Sequence, residues 1–128
     1  MPLPDPQQCL SHIQALRDAL DVVNGKWKLQ ILVSLREGYQ RFRDIERSIP
    51  GISSKVLAKE LKDLEMHQLI KRTVVDRTPV QVLYETLPYA ATLEPVIEAL
   101  VGWGRQHRAT IMGRPEKAMP LAPQKLGI

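Results

Sequence analysis

The chain has a single cysteine, Cys9, and so can form no intrachain disulfide. No uninterrupted apolar run approaches the roughly 18 residues that span a bilayer, and no N-terminal stretch joins a basic start to an apolar run and a cleavage site. A cytoplasmic protein without a membrane partner is expected. A glycine-rich phosphate loop, an HExxH pair and a nucleophile elbow are all missing, and the acidic residues read as helix-surface charges, so the chain is not expected to be an enzyme. His12, His67 and His107 fall in three segments without metal-ligand spacing. Cys9 and His12 stand one turn apart, but two ligands are too few for a zinc site. Neither a metal nor another cofactor is expected.

What the sequence does contain is enough for one domain. Its 128 residues, 44% of them hydrophobic, can bury a core but are too few for two ordinary domains. The formal charge of +4 is unevenly spread. Residues 38–72 hold eight basic and five acidic side chains, a local excess that favours an anionic partner.

Proline and glycine punctuate both ends. Pro2, Pro4 and Pro6 point to a non-helical arm over residues 1–8. Pro115, Pro120, Pro123 and Gly127 point to an irregular tail over residues 113–128, which leaves 9–112 as the ordered domain. Within it, Leu10, Ile13, Leu16, Leu20 and Val23 recur at helical spacing and Asn24-Gly25 stops the run. A second helix carries Trp27, Ile31, Leu32 and Leu35 on its buried stripe and ends at Gly38. A short third helix over 42–48 turns Phe42 and Ile45 inward and Arg43 and Arg47 outward, before Pro50-Gly51 breaks the chain.

Ser53 suits an N-cap and opens a fourth helix reaching about His67. At 100° per residue, Leu57, Leu61 and Leu64 share one face, while Lys55, Lys59 and Lys62 share the opposite one. Two strand-like runs follow, 69–75 and 80–87, rich in β-branched residues and separated by Asp76-Arg77-Thr78-Pro79. A last helix is expected from Tyr89 to Thr110, with Pro95 near its start. A short helix joined by a tight turn to a lysine-faced helix, then a hairpin, is the order of a winged helix-turn-helix: mostly α with a small β-hairpin.

At these positions the sequence resembles the HxlR family of bacterial winged-helix transcriptional regulators. The resemblance rests on Cys9, Gly25-Lys26-Trp27, Leu35-x-x-Gly38, Arg41-Phe42-x-Asp44-Ile45, Pro50-Gly51-Ile52-Ser53-x-Lys55-x-Leu57, Leu61-x-x-Leu64-Glu65, Pro79-Val80 with Tyr84, and Trp103-Gly104. It departs from the family where Gln68 replaces a usual glycine, and where Thr86, Leu87 and Ala90 replace a Leu-Thr pair and a later glycine. The resemblance implies a homodimer held by the first and last helices, binding an inverted-repeat operator in double-stranded DNA with the fourth helix in the major groove. It also implies that Cys9 stands where some members carry a redox- or electrophile-sensing thiol, so a small-molecule or redox effector is a further expectation.

The candidate DNA-binding residues are then Arg41, Arg43, Arg47, Ser53, Ser54, Lys55, Lys59, Lys62 and Arg77. Lysine and arginine suit phosphates, and the two serines at the helix start suit base edges or phosphates. Trp27 reads as core, and Lys71 and Arg72 as residues of which one merely flanks the sheet. The competing reading is a winged-helix module for protein–protein contact. The exposed lysine row argues against it, since interface cores are depleted of lysine.

Overall fold

The computed structural model describes residues 3–113. The elements are α1 (Pro6–Val23), α2 (Lys28–Arg36), α3 (Phe42–Ser48), α4 (Ser54–Met66), β1 (Ile70–Val75), β2 (Gln81–Thr86), a 3-10 turn (Pro88–Leu93) and α5 (Glu94–Met112). This is the expected mixture of helices with a two-stranded antiparallel hairpin. The chain divides into two compact units, Met1–Ala90 and Ala91–Ile128. The expected tail, apart from Gly113, lies outside the described residues.

Two boundaries differ from expectation. The first helix begins at Pro6, inside the stretch expected to be an arm. Proline at the first helical position gives up an N–H that has no intrahelical partner anyway. Asp5 completes the cap, its Oδ1 accepting from the Gln7 amide at 3.0 Å. At the other end, residues 88–93 form a 3-10 turn rather than the start of the last helix. The α-helix proper starts at Glu94, which puts Pro95 in its first turn.

The core of the first unit is built by α2, α3, α4 and the base of the hairpin. Ile31, Ile45, Leu57, Leu61, Leu64, Leu69 and Ile70 are all at most 1% exposed, each contributing on the order of 1.5–3 kcal/mol by leaving water. The connection between α3 and α4 follows from Pro50-Gly51. Ile52 N–H donates to the Ile49 carbonyl at 3.4 Å, and Gly51 sits at φ +85°, as a type II turn with proline and glycine at its two central positions requires. Ser53 then caps α4, its Oγ accepting from the Val56 amide at 3.1 Å.

α4 ends in a Schellman motif. Leu69 N–H donates to Leu64 O and Gln68 N–H to Glu65 O, both at 3.0 Å. The closing residue, Gln68, adopts φ +60°. This is the position where the sequence departs from the family's glycine, and the backbone keeps the glycine-like conformation all the same.

β1 and β2 pair from Ile70–Thr86 to Val75–Gln81. The hairpin is fixed to the body by main-chain bonds from Tyr84 N–H to Gln40 O at 2.8 Å and from Leu87 N–H to Leu69 O at 2.9 Å. Trp27, expected on the α2 stripe, stands instead at the helix N-cap and is half-buried. The Lys26 ammonium lies 4.7 Å over its ring. None of the residues of α1 is buried.

Candidate nucleic-acid interface

α4 presents two unlike faces because its leucines and lysines are half a helical turn out of phase. Leu57, Leu61 and Leu64 are at most 1% exposed, whereas Lys55, Lys59 and Lys62 all face solvent. Among the described residues, none of these three lysines joins the ion pairs of the molecule. Their charges are therefore available to an external anion.

The other candidates are placed by neighbouring elements of the same unit. Arg41 is the N-cap of α3, Arg43 and Arg47 lie one turn apart on that helix, and all three are exposed. Arg77 is exposed on the hairpin loop, its amide donating to Val75 O at 2.9 Å. The two serines divide. The Ser53 Oγ is spent as a helix cap on its acceptor side but keeps its proton to donate. The Ser54 hydroxyl instead donates to the Glu46 carboxylate, which ties α3 to the first turn of α4. Ser54 is thus a strut within the helix-turn-helix as well as a residue at its surface. In the hairpin, Lys71 pairs with its cross-strand partner Glu85 at 3.1 Å, so it is the residue that flanks the sheet.

A feature that periodicity did not reveal lies under α4. Lys28, on the first turn of α2, is 5% exposed and its Nζ stands 2.7 Å from Glu60 Oε2 and 3.4 Å from Asp63 Oδ2. The acidic residues were expected to be helix-surface charges; Glu60 is not, being 9% exposed and ion-paired. Breaking such a buried pair by removing one partner typically costs about 3–5 kcal/mol, because the other charge is left without compensation. The sequence held a signal for both residues. Lys28 shares the i, i+4, i+7 stripe of Leu32 and Leu35, and Glu60 lies about 40° from Leu64 on the helical wheel.

Cys9 is an exposed free thiol, the fourth residue of α1. The N-terminus of α1 lies three residues before it, at Pro6, with the Asp5 carboxylate as its cap. Two apolar strips are also open: Leu10, Ile13, Leu16 and Leu20 on α1 and Val96, Leu100 and Trp103 on α5 are each 42–60% exposed. Trp103 stacks on His107, with ring centroids 4.7 Å apart. Among the described residues, no helix is long and apolar enough to cross a membrane.

Comparison with known proteins places this geometry. The sequence profile of the HxlR-like helix-turn-helix family matches residues 22–112. The HTH-type transcriptional regulator YtcD of Bacillus subtilis (strain 168) is 36% identical over 94 residues, 73% of this chain and 75% of that protein. Its crystal structure superposes with a TM-score of 0.68, covering 72% of this chain and 94% of that one. The redox regulator HypR in its reduced form superposes with a TM-score of 0.71 at 29% identity, covering 77% and 98% of the two chains. The reduced form of the transcriptional regulator YodB from B. subtilis superposes at 0.63 with 30% identity, covering 81% and 94%. These relatives are regulators rather than enzymes, in agreement with the missing catalytic motifs. The chain belongs to the HxlR family of helix-turn-helix transcriptional regulators.

Proposed function

We propose that the chain binds double-stranded DNA sequence-specifically as a homodimer, with α4 in the major groove and the hairpin loop near the backbone or minor groove. One observation carries the reading: the second helix of the helix-turn-helix turns Lys55, Lys59 and Lys62 to solvent on the side opposite its buried leucines. Arg41, Arg43, Arg47 and Arg77, with the free Ser53 proton, are assigned to phosphates, and Ser54 to the start of the reading helix. The open apolar strips of α1 and α5 are assigned to the dimer contact. Two copies related by a dyad present their reading helices to successive major grooves about 34 Å apart, which selects an inverted repeat.

Replacing Lys55, Lys59 and Lys62 together with alanine tests it. If each lysine meets one phosphate per subunit, the log–log salt slope flattens by about 2.7 per subunit. A folded triple variant with wild-type affinity and slope removes α4 as the DNA-reading helix.

The exposure of Cys9 supports a second part of the reading, a thiol input. HypR is a redox regulator and YodB has a diamide-treated form, and in this chain an oxidised Cys9 can be resolved only by a small thiol or by a second subunit. Diamide is expected to change DNA affinity in the wild type and not in Cys9→Ser; equal responses dismiss the thiol.

A further inference from the structure

Asn24 closes α1, Lys28 opens α2, and Glu60 and Asp63 stand on α4. One ammonium meets all three elements: Lys28 Nζ lies 2.7 Å from Glu60 Oε2, 3.4 Å from Asp63 Oδ2 and 3.4 Å from Asn24 Oδ1. An ammonium has three N–H donors and no acceptor, so this set matches its capacity. The Lys28 and Glu60 side chains are only 6% and 12% exposed.

A buried pair of this kind is a poor source of net stability, since apolar residues of similar volume often replace it without loss. Its distinctive property is directional. Burial of the leucine face of α4 is non-directional in itself, whereas a slide or rotation of the helix leaves the Lys28 charge short of a partner away from water.

We infer that Lys28 is a positioning residue for DNA recognition: through Glu60 and Asp63 it fixes the rotation of α4, and through Asn24 it ties that setting to the end of α1. The inference rests on α4 being the reading helix. Lys55, Lys59 and Lys62 project from the side of α4 opposite its core, so a rotation redirects all three together. Attraction to phosphates depends mainly on charge and survives such a shift, while base readout depends on register and does not.

Two variants separate position from stability. Lys28→Met/Glu60→Leu replaces the central pair with apolar side chains at constant net charge, and Glu60→Gln keeps shape and a hydrogen-bond acceptor. Each is titrated with a duplex of about 30 bp, long enough for two half-sites one helical turn apart, that the wild type has recovered from genomic fragments. A random-sequence duplex of equal length is the control. The preference for the recovered duplex is expected to fall about tenfold or more in both variants, the scale of one misread base pair. The double variant keeps its random-duplex affinity and salt slope. A wild-type preference in either folded variant overturns the inference, and Glu60→Gln decides alone if the double variant does not fold. A wild type with no preference for the recovered duplex overturns the DNA reading instead. In that case amide exchange decides the clamp: lower protection of α4 relative to α2 in Glu60→Gln upholds it, and unchanged protection overturns it.

Discussion

At the scale of single residues, Gln68 shows a backbone requirement outliving the residue type that suits it best. Its φ of +60° is imposed by the two bonds that close α4, from its own amide and from that of Leu69. For a residue with a Cβ that conformation costs about 1–2 kcal/mol, and glycine gives back part of the relief, roughly 0.5–1 kcal/mol, through its freer unfolded chain. Gln68→Gly is therefore expected to raise stability by about 0.5–1 kcal/mol, seen as a higher urea midpoint at unchanged slope. A midpoint at or below that of the wild type means the turn is not strained. The departure at this position was legible in the sequence, but its consequence was not, because a composition pattern carries no φ angle. Lys28 and Glu60 were missed for a different reason. Periodicity sorts residues onto faces of one helix, and charged residues default to the wet face. Their pairing depends on two helices meeting across 32 positions of sequence.

At the scale of elements, the helix and hairpin boundaries follow local chemistry closely. Ser53, Pro50-Gly51 and Gly38 each act where sequence places them. The misses, at Pro6 and at residues 88–93, lie where proline can equally end a helix or begin one. The contact between α2 and α4 also predicts how stability responds to alkali. Burial disfavours the Lys28 charge, but the hydrogen bond and charge of Glu60, followed by those of Asp63, outweigh it and raise the pKa above its ordinary value. The unfolded chain then gives up this proton first as pH rises. The contribution of the ammonium is intact below about pH 10.4 and is lost as pH climbs through the higher folded-state value. The unfolding free energy of the wild type is expected to fall more steeply above that point than that of Lys28→Met/Glu60→Leu, which shares its other titrating groups. Parallel curves for the two proteins show that the pair does not contribute in this way.

At the scale of the whole molecule, the amphipathic pattern of the first helix was legible as a pattern but not as a location. Leucines at helical spacing announce a face that must be covered, and sequence cannot say whether the same chain covers it. Among the described residues the α1 face stays open: Leu10, Leu16 and Leu20 are 50–60% exposed and Ile13 is 42% exposed. A helix of 18 residues is about 27 Å long, so the strip is too extended to be an incidental hydrophobic spot of the kind every soluble protein displays. In a dimer each such leucine withdraws its remaining half-exposed surface from water, gaining on the order of 1 kcal/mol, and a charge placed among them must be desolvated without a partner. Leu16→Glu is expected to leave the monomer fold intact, because Leu16 touches solvent there, while shifting sedimentation from a dimer toward a species of 14.5 kDa. DNA affinity should fall with it, since two linked reading helices bind far more tightly than one. A wild type that sediments as a monomer at micromolar concentration rejects the dimer outright. A Leu16→Glu protein that remains dimeric moves the contact away from α1, leaving the open strip of α5 to be tested by Leu100→Glu.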